Sequence, residues 1–184
     1  GGDSPVLIIP TGPADELESA NLMFTHAINS ARKRIWIASP YFVPDHSVMV
    51  AIQLAGLRGV DVRILIPDEP DHLAVYLAAY SYFDEASETG AKFYRYEDGF
   101  LHEKAMLIDD DVASVGTANF DNRSFRLNFE VTAVVVDAEF ATKVERMFQD
   151  DFARSRVMKD GEYDAKPWYF RLGVRTARLL APIL

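Results

Sequence analysis

Apolar residues fall along the chain in short blocks, separated by stretches in which they recur at helical spacing. Residues 6–10 (VLIIP) form a run of strand length, and Asp15 sits where it can cap a helix carrying Leu17, Leu22, Ala27 and Ile28 to about Lys33. Residues 35–39 (IWIAS) predict the next strand. A loop at 39–45 follows, braced by Pro40 and Pro44, and then a helix over about 47–57 that Gly59 stops. A strand over 60–66, a helix over about 72–87 and a strand over 92–96 continue the alternation. Beyond that point strands follow one another, at 103–109, 112–115 and 130–136. The run Asp109, Asp110, Asp111 suits a tight turn between the first two. A helix over about 139–154 returns to amphipathic spacing through Phe140, Val144, Met147, Phe148 and Phe152. Strands alternating with helices predict an α/β fold, a mixed but mainly parallel sheet with helices on both faces.

The chain has 184 residues and 49% apolar composition, which fits one folded domain and excludes disordered and fibrous classes. The apolar runs are too short for a transmembrane helix in this stretch, and with no cysteine, disulfides and thiolate chemistry drop out. Gly1 and Gly2 stand where an initiating methionine is usual, which reads as the start of a piece cut from a longer chain. The net charge of −9 hides a split: residues 1–165 carry 15 basic and 28 acidic side chains, whereas residues 166–184 carry Lys166, Arg171, Arg175 and Arg178 and no acid. The expected organisation is therefore a domain over 1–165 and a basic, aromatic extension over 166–184. An acidic body is poorly suited to nucleic acid, whose phosphates call for clustered cations.

Candidate chemistry concentrates in residues 99–130. On a strand, His102 and Lys104 share one face about 7 Å apart, with Leu101, Ala105 and Leu107 on the other. An ammonium beside an imidazole makes an anion site in which lysine holds phosphate oxygens and histidine attacks or carries a proton. The turn Gly116-Thr117-Ala118-Asn119 brings a hydroxyl and an amide that can bind the same oxyanion. Glu130, opening a later strand, is placed to accept from one nitrogen of His102 and fix its tautomer. Asp121, Arg123 and Ser124 are read as bracing the turn. The acids Asp68, Glu69 and Asp71 around Pro70 are read as a loop and helix cap; no metal site is expected.

His102-x-Lys104-x-x-x-x-Asp109, then Gly116-Thr117-x-Asn119 and Glu130, resembles the signature of the phospholipase D superfamily. The stretches at 35–45 (IWIASPYFVPD), 58–67 (RGVDVRILIP), 99–104 (GFLHEK) and 121–130 (DNRSFRLNFE), with the ending Ala181-Pro182-Ile183-Leu184, are most similar to the C-terminal half of a bacterial cardiolipin synthase. The resemblance implies transfer of a phosphatidyl group from one phosphatidylglycerol to another through a phosphohistidine, giving cardiolipin and glycerol. It implies no cofactor, catalytic roles for His102, Lys104, Asp109 and Glu130, and phosphate contacts from His102, Lys104, Thr117 and Asn119. The parity of Asp109, opposite to that of His102, points to holding the hairpin. Such sites are assembled from two motifs, and His26, His46 and His72 lack a lysine two residues on, so this chain supplies half of one. The partner is a second such domain, either in the same longer chain or in a homodimer; His102 is the nucleophile or the proton carrier.

Arg171, Arg175 and Arg178 recur at i, i+4 and i+7 beside Trp168, Tyr169 and Phe170, a pattern for a helix on an anionic membrane surface or for one packed on its own domain. Tyr41 and Phe42 follow a strand where ligand loops of α/β sheets gather, so they either line a lipid entrance or cap the core. The implied location is the bacterial cytoplasmic membrane for the parent protein, with this stretch soluble or peripheral. Two other readings remain: a phospholipase or nuclease active as a homodimer, and a membrane-binding module without activity.

Overall fold

The computed structural model of the chain describes residues 3–69, 72–159 and 161–181. Gly1 and Gly2, Asp71 of the acidic loop and the ending at Pro182, Ile183 and Leu184 lie outside the described residues.

In the first half, alternation holds: β1 (Val6–Thr11), α1 (Ser19–Ser30), β2 (Arg34–Ala38), a short β3 (Phe42–Val43), α2 (His46–Leu57), β4 (Asp61–Pro67), α3 (Leu73–Ser87) and β5 (Lys92–Tyr96). The second half contains β6 (Ala105–Ile108), β7 (Val112–Gly116), β8 (Phe120–Asp121), α4 (Asn122–Arg126), β9 (Glu130–Val136), α5 (Ala138–Ala153), β10 (Ser155–Val157) and α6 (Trp168–Leu180). Local chemistry sets many of the boundaries. Asp45 and Asp137 cap α2 and α5 by accepting from the amides of Ser47 (2.8 Å) and Phe140 (2.7 Å). Asp15 does not cap α1 as expected. It accepts from the Gly12 amide at 3.0 Å, and the helix opens four residues later.

Eight strands form one sheet in the order β1-β9-β7-β6-β2-β4-β5-β10, while β3 and β8 pair separately. Mixed pairing with helices on both faces agrees with expectation, but the prevalence of parallel pairs does not. Only β2–β4 and β4–β5 are parallel; the other main-sheet pairs are antiparallel. The helical crossovers α2 and α3 can join parallel neighbours, whereas the tight turn at 109–111 dictates an antiparallel one. Because β6 enters beside β2, the later strands extend the sheet as a meander.

Side-chain alternation divides the core in two. Ile35, Ile37, Val62, Ile64 and Phe93 face α1, α2 and α3, and Trp36, Ala38, Leu65 and Leu107 face α5 through Val144, Phe148 and Phe152. Helix α6 packs along α3, with Val174 and Ala177 buried in the first of these cores.

Candidate active site

Register brings the candidate residues to one edge of the sheet. Ala105 pairs with Ala38 on one side and with Val115 on the other, and Gly116 pairs with Thr132. The segment entering β6, the turn leaving β7 and the start of β9 therefore meet at that edge. Gly116 is required by close approach, since a Cβ there would sit 2.6 Å from the Val131 carbonyl oxygen.

His102 and Lys104 precede the strand expected to carry them, because β2 ends opposite Ala105 and offers no further pairing. They are together nonetheless. Lys104 Nζ donates to the carbonyl oxygen of His102 at 2.8 Å and lies 3.1 Å from its Nδ1. The imidazole is exposed and stacks on Phe100 with ring centroids 5.3 Å apart.

Thr117 and Glu130 join the group in a different pairing from the expected one. Thr117 Oγ1 donates to Glu130 Oε2 and accepts from the Val131 amide, and Glu130 Oε1 accepts from Asn128 at 3.1 Å. The expected bond from His102 to Glu130 is replaced by these, because the Thr117 hydroxyl stands in the turn beside that carboxylate. The Thr117 hydroxyl, expected to face an oxyanion, is likewise committed to Glu130. Asn119 is half-buried in the turn with its Oδ1 buried and unpartnered among the described residues. Its side chain bonds Asp121, whose carboxyl burial pushes above the usual range. Asp121 also caps α4 through the Ser124 amide at 2.7 Å, bracing the turn as expected.

Asp109 is not part of this group. It follows β6 at the other end of the strand, about 17 Å from Lys104 by strand rise. At φ 50° its carboxylate accepts from the amides of Arg32, Lys33 and Arg34, fixing the passage from α1 into β2.

Phe42 is 1% exposed and packs its ring against Phe83 and Phe93, so it belongs to the core. With the half-buried Tyr41 it lines a small, largely apolar pocket, together with Ile66, His72, Tyr76 and Phe83. On α6, Trp168 and Leu172 are exposed. Arg178 turns back onto the Ser81 carbonyl oxygen and Glu85, Arg171 lies 3.9 Å from Asp164, and Arg175 is exposed without an ion pair among the described residues.

Sequence reasoning missed a buried cluster at the foot of the motif. Glu103 faces Asp151 of α5, which is 6% exposed, and Arg154 donates to Asp151 at 2.7 Å. The signal was available, since Asp151 lies between Phe148 and Phe152 on the apolar stripe of an amphipathic helix. The buried Arg95 was missed too; it bonds the hydroxyls of Tyr76 and Tyr80 and pairs with Asp68.

Residues 24–152 match the family model described as cardiolipin synthase, PLD-like domain. The chain belongs to this family. Among curated relatives, it is 51% identical over 176 residues to cardiolipin synthase A of Pseudomonas putida strain KT2440, covering 96% of this chain and 37% of that protein. It is 52% identical over 177 residues to cardiolipin synthase A of Pseudomonas aeruginosa strain PAO1, covering 96% and 36%. This PLD-like domain therefore spans a little over a third of the curated relatives it matches. Among solved structures, phosphatidylserine synthase of Haemophilus influenzae aligns with a TM-score of 0.79 at 20% identity, covering 97% of this chain and 48% of that one. The phospholipase D family member Nuc from Salmonella typhimurium aligns with 0.74 at 20% identity, covering 86% of this chain and all of that one. At that identity the likeness is one of fold.

Proposed function

We propose that this chain supplies one half of a two-unit active site that transfers a phosphatidyl group between two phosphatidylglycerol molecules, giving cardiolipin and glycerol. The observation that carries the reading is the contact of Lys104 with His102 at the end of β6, beside the turn that leaves β7, in a chain of the cardiolipin synthase family. Lys104 supplies fixed positive charge to phosphate oxygens. Lys104 Nζ lies 3.1 Å from Nδ1 of His102, so a cation and a proton-bearing ring are presented together to a phosphate. His102 is assigned the proton work, as imidazolium when the glycerol oxygen leaves and as neutral imidazole when the acceptor hydroxyl attacks, with the nucleophile on the other unit. The partner histidine forms an N–P bond as the P–O bond to glycerol breaks, and His102 protonates the departing oxygen. The second phosphatidylglycerol then returns a proton to His102 as its hydroxyl oxygen attacks phosphorus and the N–P bond breaks. Glu130 acts on the turn through Thr117, and Asp109 acts on the fold.

Exposed Phe100, Leu127 and Phe129, the last 83% exposed, surround the edge and offer an apolar seat for the second unit. At the membrane, the exposed aromatic and apolar residues Trp168, Tyr169 and Leu172 with Arg171 and Arg175 suit an anionic surface. Arg178, held by Glu85, contributes less than the sequence pattern promised. No helix among the described residues is long and apolar enough to cross a membrane. A second reading, two copies of this chain forming the site, draws on Nuc, which a single unit of this kind matches over its whole length.

The test compares this chain alone, in monomeric form, with the same chain supplied with the remaining part of the longer protein, on vesicles containing phosphatidylglycerol. Cardiolipin formation only in the second case supports the half-site. Full turnover by the monomeric chain refutes it, and turnover that appears with dimerisation selects the second reading.

A further inference from the structure

The segment carrying His102 has no ladder of its own to hold it. Residues 101–104 lie outside any strand, and the Lys104 carbonyl oxygen accepts from the Gly116 amide of β7 at 3.1 Å. The C-terminal turn of α5 sits beneath both ends of the stretch from 97 to 104. At the near end, the Glu97 amide donates to the Arg154 carbonyl oxygen at 3.2 Å, and the Arg154 guanidinium lies 3.6 Å from Asp98 and 5.3 Å from the centre of the Tyr96 ring. At the far end, the side chain of Glu103 turns away from the exposed His102 toward Asp151, and its Oε1 is buried with no N–H or O–H partner. Leu101, its neighbour two residues back, is buried among Trp36, Phe148 and Phe152. Two carboxylates cannot donate to one another, so a buried pair in contact is tolerable only with a proton between them.

We propose that Glu103 and Asp151 share one proton, and that this pair clamps residues 101–104 to α5 and fixes where His102 projects. They are positioning residues, and the inference rests on the reading of His102 as a residue of the transfer site. Burial first, and then the charge of Asp151, push the Glu103 carboxyl up to about 7, with Arg154 acting in the opposite direction. The clamp is closed below neutrality and opens as rising pH leaves two negative charges in apolar surroundings.

Carboxyl-carbon NMR of this chain reads the pair directly and needs no substrate. The expected result is a Glu103 titration near 7, accompanied by a change in the His102 ring signals with the same midpoint. Asp151→Asn, which gives Glu103 an amide donor, moves that midpoint down toward the ordinary carboxylate range. Glu103→Gln donates to Asp151 permanently and abolishes the linked change in His102, whereas Glu103→Ala leaves the ring mobile at every pH. In the longer protein, Glu103→Ala lowers kcat about 10²-fold with KM little changed, as expected for a displaced proton carrier. Glu103→Gln restores kcat and removes its fall above neutral pH. An ordinary Glu103 titration near 4.5, or a Glu103→Gln enzyme with the parental pH profile, overturns the proposal. A fully active His102→Ala enzyme beside a Glu103 titration near 7 sinks the transfer reading and leaves the clamp standing.

Discussion

Lys104 contacts His102 in two places, at the carbonyl oxygen and at Nδ1, so removing it changes both the charge at the site and the support of the ring. Lys104→Ala in the longer protein is expected to lower kcat by about 10² to 10³-fold, the usual loss for one donor to a developing oxyanion, with the thermal midpoint unchanged. Asp109 predicts the reverse. Asp109→Ala leaves the amides of Arg32, Lys33 and Arg34 without their acceptor and should cost about 1 to 3 kcal/mol in denaturant unfolding. Asp109→Asn keeps an acceptor and tolerates the positive φ, so it should cost less. Stability should also depend on pH through Glu103. Its folded-state value of about 7 lies above the ordinary carboxyl value of 4.5, so the protonated form favours folding. That contribution is complete below about 4.5 and is lost as pH rises through about 7; urea midpoints across pH 5 to 8 should fall for the parent and fall less for Glu103→Gln. At this scale the nearness of His102 and Lys104 was legible, because two residues' spacing in extended chain puts their side chains on one side. The partner of Glu130 was not legible, since two acceptable donors, Thr117 and His102, compete for it and only packing selects between them.

Elements were readable where a local rule governed them. The Asp45 and Asp137 caps, the Gly59 stop and the turn at Asp109 to Asp111 all follow from short-range chemistry. The order of strands was not, because β6 could enter the sheet beside β5 or beside β2, and nothing within 103–109 distinguishes them. The placement beside β2 is long-range packing, and it makes the expected mixed sheet mostly antiparallel where mainly parallel pairing was expected. Helix α6 shows the same limit. Its arginine stripe and aromatic residues fit a membrane-facing helix or one packed on its own domain, and only the structure shows Val174 and Ala177 to be core residues. Both properties can be separated by mutation. Val174→Asp buries an unpaired charge and should destabilise the chain by about 3 kcal/mol or more in thermal or urea unfolding. Arg175→Ala, at an exposed position without an ion pair, should leave unfolding unchanged while weakening binding to phosphatidylglycerol vesicles by about 1 kcal/mol in co-sedimentation.

At the scale of the whole molecule, the acidic body, the basic α6 and the apolar rim around His102 describe a unit built to meet two different partners. On the proposed reading, the exposed Phe100, Leu127 and Phe129 are the seat for the second unit, and the exposed Trp168, Leu172 and Arg175 are the surface for anionic lipid. The site edge lies between the tight β6–β7 hairpin and the start of β9, which gives a rigid frame, whereas the histidine itself rides on a segment without a ladder. The account stands or falls on whether that histidine takes part in the chemistry. The most direct measurement is conversion of phosphatidylglycerol to cardiolipin by the longer protein carrying His102→Ala, at matched folding and vesicle binding. A loss of at least about 10² to 10⁴-fold is predicted for removal of the proton carrier. Cardiolipin formation at the parental rate would contradict the account.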